Sequence, residues 1–93
     1  MKLPVLYDEI PPKERWKVRE EYIKVQDGLC QHCKNPLVGL ASTEVMSKKI
    51  NLNLFPEAFL DHPIHLHHCH KTGLTIGAVH ARCNAVLFQY YGE

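Results

Sequence analysis

Two metal-ligand pairs of equal spacing constrain this chain more than any other feature: Cys30-x2-Cys33 and His80-x2-Cys83. A two-residue gap lets both side chains of a pair reach one ion without straining the backbone between them. Together they form a Cys3His set, a closed shell with no open position for a reacting group. The expected ion is therefore a structural Zn2+, joining a knuckle at residues 28–34 to the start of the last helix. At 93 residues the chain gains much from such a staple, because a core this small leaves a thin margin. Structural zinc supplies roughly 10–16 kcal/mol of apparent binding free energy in small fingers. The competing reading is that the cysteines are reduced and buried as small hydrophobes. Cys69 is a rival for the fourth ligand position. No strand-helix-strand pattern surrounds Cys30 and Cys33, which argues against a thioredoxin-like redox pair.

Composition narrows the class further. Apolar residues make up 45% and charged residues 23% of the chain, which indicates an ordered globular domain spanning residues 1–93. The net charge of +1 excludes a polycation, so any nucleic-acid contact must use a local basic face. No apolar run approaches the length of a membrane span. The opening "MKLPVLYDEIPP" lacks the apolar core of a signal peptide and breaks at Pro11-Pro12. A cytoplasmic protein is expected, and there free cysteines serve metals more often than disulfides.

Periodicity gives a coarse α+β order. The opening reads as extended up to the prolines. "PKERWKVREEYIKVQDG" reads as a helix with Pro12 in its first turn and a stop at Asp27-Gly28. Its apolar side would carry Trp16, Val18, Tyr22, Ile23 and Val25, and its charged remainder a solvated face. Residues 34–61 have no sustained period; a short strand is expected near 50–54 and a helical turn near 57–60. "PIHLHHC" and "LTIGAV" read as strands joined at "KTG", with Gly77 at a bend. "ARCNAVLFQYY" reads as a closing helix, with Val86, Leu87 and Tyr90 inward.

The span from Ile64 to Asn84 holds five histidines, two cysteines and one asparagine, more than one zinc can use. With His80 assigned, "HLHHCHKTGLTIGAVHARCN" resembles the ββα-metal (His-Me finger) motif of HNH endonucleases, most closely the recombination endonuclease VII branch. The helix and knuckle in "REEYIKVQDGLCQHC" resemble what precedes that motif in the family, so the likeness spans about half of the chain. The resemblance implies a ββα-metal core over residues 64–91. In it His68 would be the general base, and His67 and Asn84 would hold a catalytic divalent cation. His70 would contact phosphate or assist the leaving group. Two departures bear on the transfer. Cys69 stands where the family has a second aspartate, and Ile76 stands where it has an arginine. A phosphate contact would then pass to Lys71 or Arg82.

The chemistry fits those residue types independently. Phosphodiester hydrolysis needs a base near neutral pH, which is histidine's range, and a cation to neutralise developing charge. One imidazole and one amide leave positions open for water and phosphate. Imidazole in place of carboxylate shifts the preferred ion from Mg2+ toward Mn2+, with Ni2+, Co2+ or Zn2+ as alternatives. The expected activity is a metal-dependent DNA endonuclease of low sequence specificity, nicking one strand per site, as a monomer or weak homodimer. Lys48, Lys49, Lys71 and Arg82 are candidate backbone contacts. The alternative is a non-catalytic zinc module that binds nucleic acid or a protein partner. For His62 and His65, the expectation is an ordinary surface or satisfied core histidine.

Overall fold

The computed structural model describes residues 2–92. The chain runs through α1 (Arg15–Val25), α2 (Thr43–Ser47), α3 (Glu57–Leu60), β1 (Ile64–His68), β2 (Thr75–His80) and α4 (Ala81–Tyr91). It is a small α+β structure in which a two-stranded antiparallel sheet packs with helices.

The opening departs from the extended form expected for it. Tyr7–Glu9 and Pro12–Glu14 are each a single 3-10 turn. Before the first turn the chain lies along β2. The Val5 and Thr75 backbones bond at 2.9 Å, Tyr7 N–H donates to the Gly73 carbonyl at 2.8 Å, and Leu6 bridges Leu74. Pro12 thus occupies the turn leading into α1. Asp27 and Gly28 end the helix in left-handed conformations, with Gly28 N–H bonded back to the Ile23 carbonyl.

The buried side of α1 is narrower than its sequence suggests. Val18 and Tyr22, four apart, enter the core, while Trp16 and Val25 are 52% and 64% exposed. Position explains this: Trp16 falls nearly opposite the Val18–Tyr22 face, and Val25, though seven residues after Val18 and so along that face, is the last residue of the helix. Tyr22 also bonds the Thr75 hydroxyl at 2.7 Å, which joins the helix to β2. At the end of α1, Gln26 docks on β2 as a strand would. Its side-chain oxygen accepts from Ala78 N–H and its amide donates to the Ala78 carbonyl.

That contact accounts for Gly77. A Cβ there would lie 2.7 Å from Gln26 Oε1 and 2.9 Å from Gln31 Cγ. The hairpin register is regular from Ile64↔His80 to His67↔Gly77, then shifts so that His68 pairs with Thr75. The sheet therefore carries an irregularity beside the bend expected at Gly77.

No strand forms at residues 50–54. Asn51 instead accepts from Asn53 N–H with its side chain at 2.9 Å and from Leu54 and Phe55 N–H with its carbonyl. Such an Asx turn competes directly with strand pairing. The segment is clipped to α4: Gln89 contacts Asn51 N–H and the Lys49 carbonyl, and the Tyr90 hydroxyl donates to that carbonyl at 2.6 Å. Tyr90 is consequently 45% exposed rather than inward, whereas Val86 and Leu87 are buried as expected. The core is formed by Ile10, Val18, Tyr22, Leu37, Val45, Val79 and Val86, and it includes Cys30 and Cys83.

Candidate functional site

Cys30, Cys33, His80 and Cys83 converge, with all four ligand atoms within 4.8 Å of one another. Local backbone geometry sets them. The knuckle closes on itself through Cys30 N–H to the Asn35 carbonyl and Lys34 N–H to the Cys30 carbonyl. It is docked on the sheet by Gln31 N–H to the Ala78 carbonyl at 3.0 Å. His80 ends β2 and is also the residue immediately before α4, where its extended backbone turns the chain into the helix. Cys83 then lies within the first turn of that helix.

The separations suit a tetrahedral zinc. Cys30 Sγ and Cys83 Sγ are 3.7 Å apart, Cys33 Sγ and His80 Nδ1 3.4 Å, and Cys83 Sγ and His80 Nδ1 3.7 Å. Zinc bonds near 2.3 Å to sulfur and 2.0–2.1 Å to nitrogen place neighbouring ligand atoms about 3.5–3.8 Å apart. His80 Nε2 lies 2.9 Å from the Pro36 carbonyl, which can only accept. That nitrogen must carry the proton, so Nδ1 is the lone pair facing the cluster. The hydrogen bond between the Cys30 and Cys83 sulfurs lowers the Cys30 thiol to about 4 against the opposing effect of burial. The same hydrogen bond and burial hold Cys83 up. A dication at this point would take both sulfurs as thiolates. A Cys3His cluster here could hold a structural metal such as zinc. Cys69 lies outside the group; its N–H bonds the Leu74 carbonyl in the hairpin turn, and its thiol contacts Thr72.

The remaining histidines sit on the other side of the strand-to-helix joint. His65 is the residue whose part the sequence understated. Its Nε2 is 2.9 Å from the Phe59 carbonyl and its Nδ1 is 3.1 Å from Asn84 Nδ2. The carbonyl requires a proton on Nε2, so Nδ1 accepts from the Asn84 amide. Burial also lowers the His65 pKa, favouring this neutral form. The Asn84 amide nitrogen is thereby engaged, and its oxygen is the atom it can offer to a cation. His67 is two residues along β1, on the same face as His65, and is 4% exposed.

His68 follows the register shift, where the alternation of faces is interrupted. Its ring is stacked on Tyr7 at 3.9 Å between centroids and 9° between planes. The Arg15 guanidinium covers the other face of Tyr7 at 4.2 Å. His70 tilts toward His68 at 4.9 Å and toward Phe88 at 5.8 Å. Burial, then the neighbouring His70 and His67, lower the His68 pKa, with Asp8 opposing. A neutral, proton-accepting imidazole results at neutral pH. Tyr7 carried no sequence signal, because a single tyrosine more than sixty residues away from a histidine has no local pattern.

The two phosphate-contact candidates differ. Arg82 points its Nη2 at the Lys48 and Met46 carbonyls, at 2.7 Å and 3.4 Å, and so closes the end of α2. Lys71 is exposed and lines a cleft with Cys69, His70, Tyr91 and Gly92. Lys48 lies over the Tyr90 ring at 5.2 Å, also at the end of α4, and Lys49 gives its carbonyl to Gln89 and Tyr90. His62 is exposed. Among the described residues, no helix is long and apolar enough to cross a membrane. No family model, curated protein or solved structure matches this chain.

Proposed function

We propose that this chain is a zinc-stapled ββα-metal endonuclease that hydrolyses DNA phosphodiester bonds with a divalent cation. The observation that carries the reading is the His65–Asn84 pair. It engages the asparagine nitrogen and leaves the oxygen as the atom that could meet a cation, on a helix in contact with the strand that bears His67 and His68. In this reading His67 and Asn84 would hold a divalent cation, which would supply charge neutralisation at the phosphate. His68, held neutral by burial, takes the proton from the attacking water. His70, exposed and beside His68, hydrogen-bonds the phosphate or the leaving oxygen. Lys71 contacts the backbone, whereas Arg82 is engaged within the fold and is the weaker of the two candidates. An imidazole ligand favours Mn2+ over Mg2+, and one site per chain yields nicks.

A second reading is a zinc module without catalysis. The one convergent group of three or more ligating His, Cys, Asp or Glu side chains among the described residues is the closed Cys3His set, which favours it. Supercoiled plasmid separates the two. Zinc-loaded protein is incubated with chelator, Mg2+, Mn2+, Ni2+ or Zn2+, beside His68→Ala. Open-circular product that requires added metal and disappears in the variant is expected. Intact plasmid throughout, from folded protein, would leave the module.

A further inference from the structure

The histidine cluster opens on one side into a small aromatic cleft that hydrolysis does not require. It measures about 140 Å³ and is lined by Phe55, Phe59, Phe88, His70 and Asn84. Phe55 lies 5.1 Å from Phe59 at 52° and 5.9 Å from Phe88 at 83°, so neither ring is stacked face to face on it. Phe55 is anchored in the interior, whereas Phe88 is 44% exposed on α4. Phe59 is fixed from behind, because His65 meets its ring edge-on at 4.5 Å and its carbonyl at 2.9 Å. The wall is therefore tied to the residue that orients Asn84.

We propose that this cleft is a subsite for one nucleobase of an unpaired DNA segment. Its volume is below that of a pocket for a drug-sized ligand and suits one planar ring. Apolar rings on its wall beside the exposed His70 imidazole match a base with its hydrogen-bonding edge. It is continuous with the proposed site: Asn84 and His70 belong to both, and the His70 ring meets the rings of both His68 and Phe88. A base stacked in a duplex cannot enter such a cleft, so the substrate class is single-stranded or locally unpaired DNA. The location of the backbone beside the cleft rests on the endonuclease reading; the seating of the base rests on the aromatic wall.

The test is binding without added divalent cation, read by fluorescence anisotropy on zinc-loaded full-length protein. One labelled probe is a short oligothymidylate; the other is an abasic backbone of equal length and charge. Wild type binds the thymidine probe more tightly, by roughly 5- to 150-fold for one stacked base. Phe88→Ala loses most of that difference and Phe88→Tyr keeps it, both with wild-type zinc content. Equal binding of the two probes by wild type overturns the subsite, as does an undiminished difference in zinc-loaded Phe88→Ala. Base-dependent binding with plasmid that is never cut removes the endonuclease reading and leaves the subsite standing. Metal-dependent nicking with equal probe binding does the reverse.

Discussion

A parallel ring at 3.9 Å fixes the plane of an imidazole without competing for its nitrogens, and that is what Tyr7 does for His68. The contact uses the ring and not the hydroxyl. On the endonuclease reading, Tyr7→Phe should therefore cleave plasmid at close to the wild-type rate, while Tyr7→Ala should lose roughly 10- to 100-fold in kcat, as small misplacements of a reacting group do. Equal rates for both variants would show that the stack is ornamental to the chemistry. His65 acts through Asn84 and carries a pH signature. Its folded pKa lies below the ordinary 6.5, so the unfolded chain binds the proton more readily. The stability this contributes is full above that ordinary value and is lost as pH falls toward the folded value. Thermal melts of zinc-loaded protein should fall as pH drops below about 6.5, and His65→Gln should flatten that fall. Cys69 makes a third case. Its thiol pKa is lowered by Thr72, so iodoacetamide at neutral pH should modify it before any other cysteine while zinc protects the rest. Mass spectrometry of peptides would show otherwise if Cys30 or Cys83 reacted first.

At the level of elements, legibility followed the range of the contacts. The hairpin, its turn and α4 are written in alternation and local apolar runs, and they form where those patterns lie. The stop of α1 at Asp27-Gly28 is equally local. Residues 50–54 read as a short strand, but a local Asn51 turn takes its place, and the clips of Asn51 to Gln89 and of Lys49 to Tyr90 come from α4, nearly forty residues away. Hydrophobicity alone puts Trp16, Val25 and Tyr90 inward, and packing leaves them at the surface. The four converging Cys and His residues were readable from two equal spacings; the Tyr7 stack and the phenylalanine wall were not, because neither has a spacing. The junction of Gln26 with β2 supplies a prediction of its own. Gly77→Ala forces a methyl group against Gln26 Oε1 at 2.7 Å and Gln31. It should cost about 1–3 kcal/mol, the usual range for overpacking, as measured by denaturant melts. A neutral outcome would mean that Gln26 can leave the strand cheaply.

For the whole molecule, the decisive fact is that His80 is at once the last residue of β2, the entry to α4 and a member of the Cys3His cluster. Removing the ion should unfold the chain, since a core containing Cys30 and Cys83 would be left with two crowded thiols at its centre. A chelator titration followed by circular dichroism should show loss of helix together with loss of zinc, and retained helix after complete removal would refute it. The same joint separates His67 from Asn84: one precedes it on the hairpin and the other follows it on the helix. In the endonuclease reading, the site they would share therefore exists only once that joint is locked. Two metals would then load in a compulsory sequence, the tight one first and the exchangeable one only afterwards. Adding manganese to stripped protein should start nothing until zinc is restored, and the cleavage would begin after a lag set by refolding rather than by the second ion's own affinity.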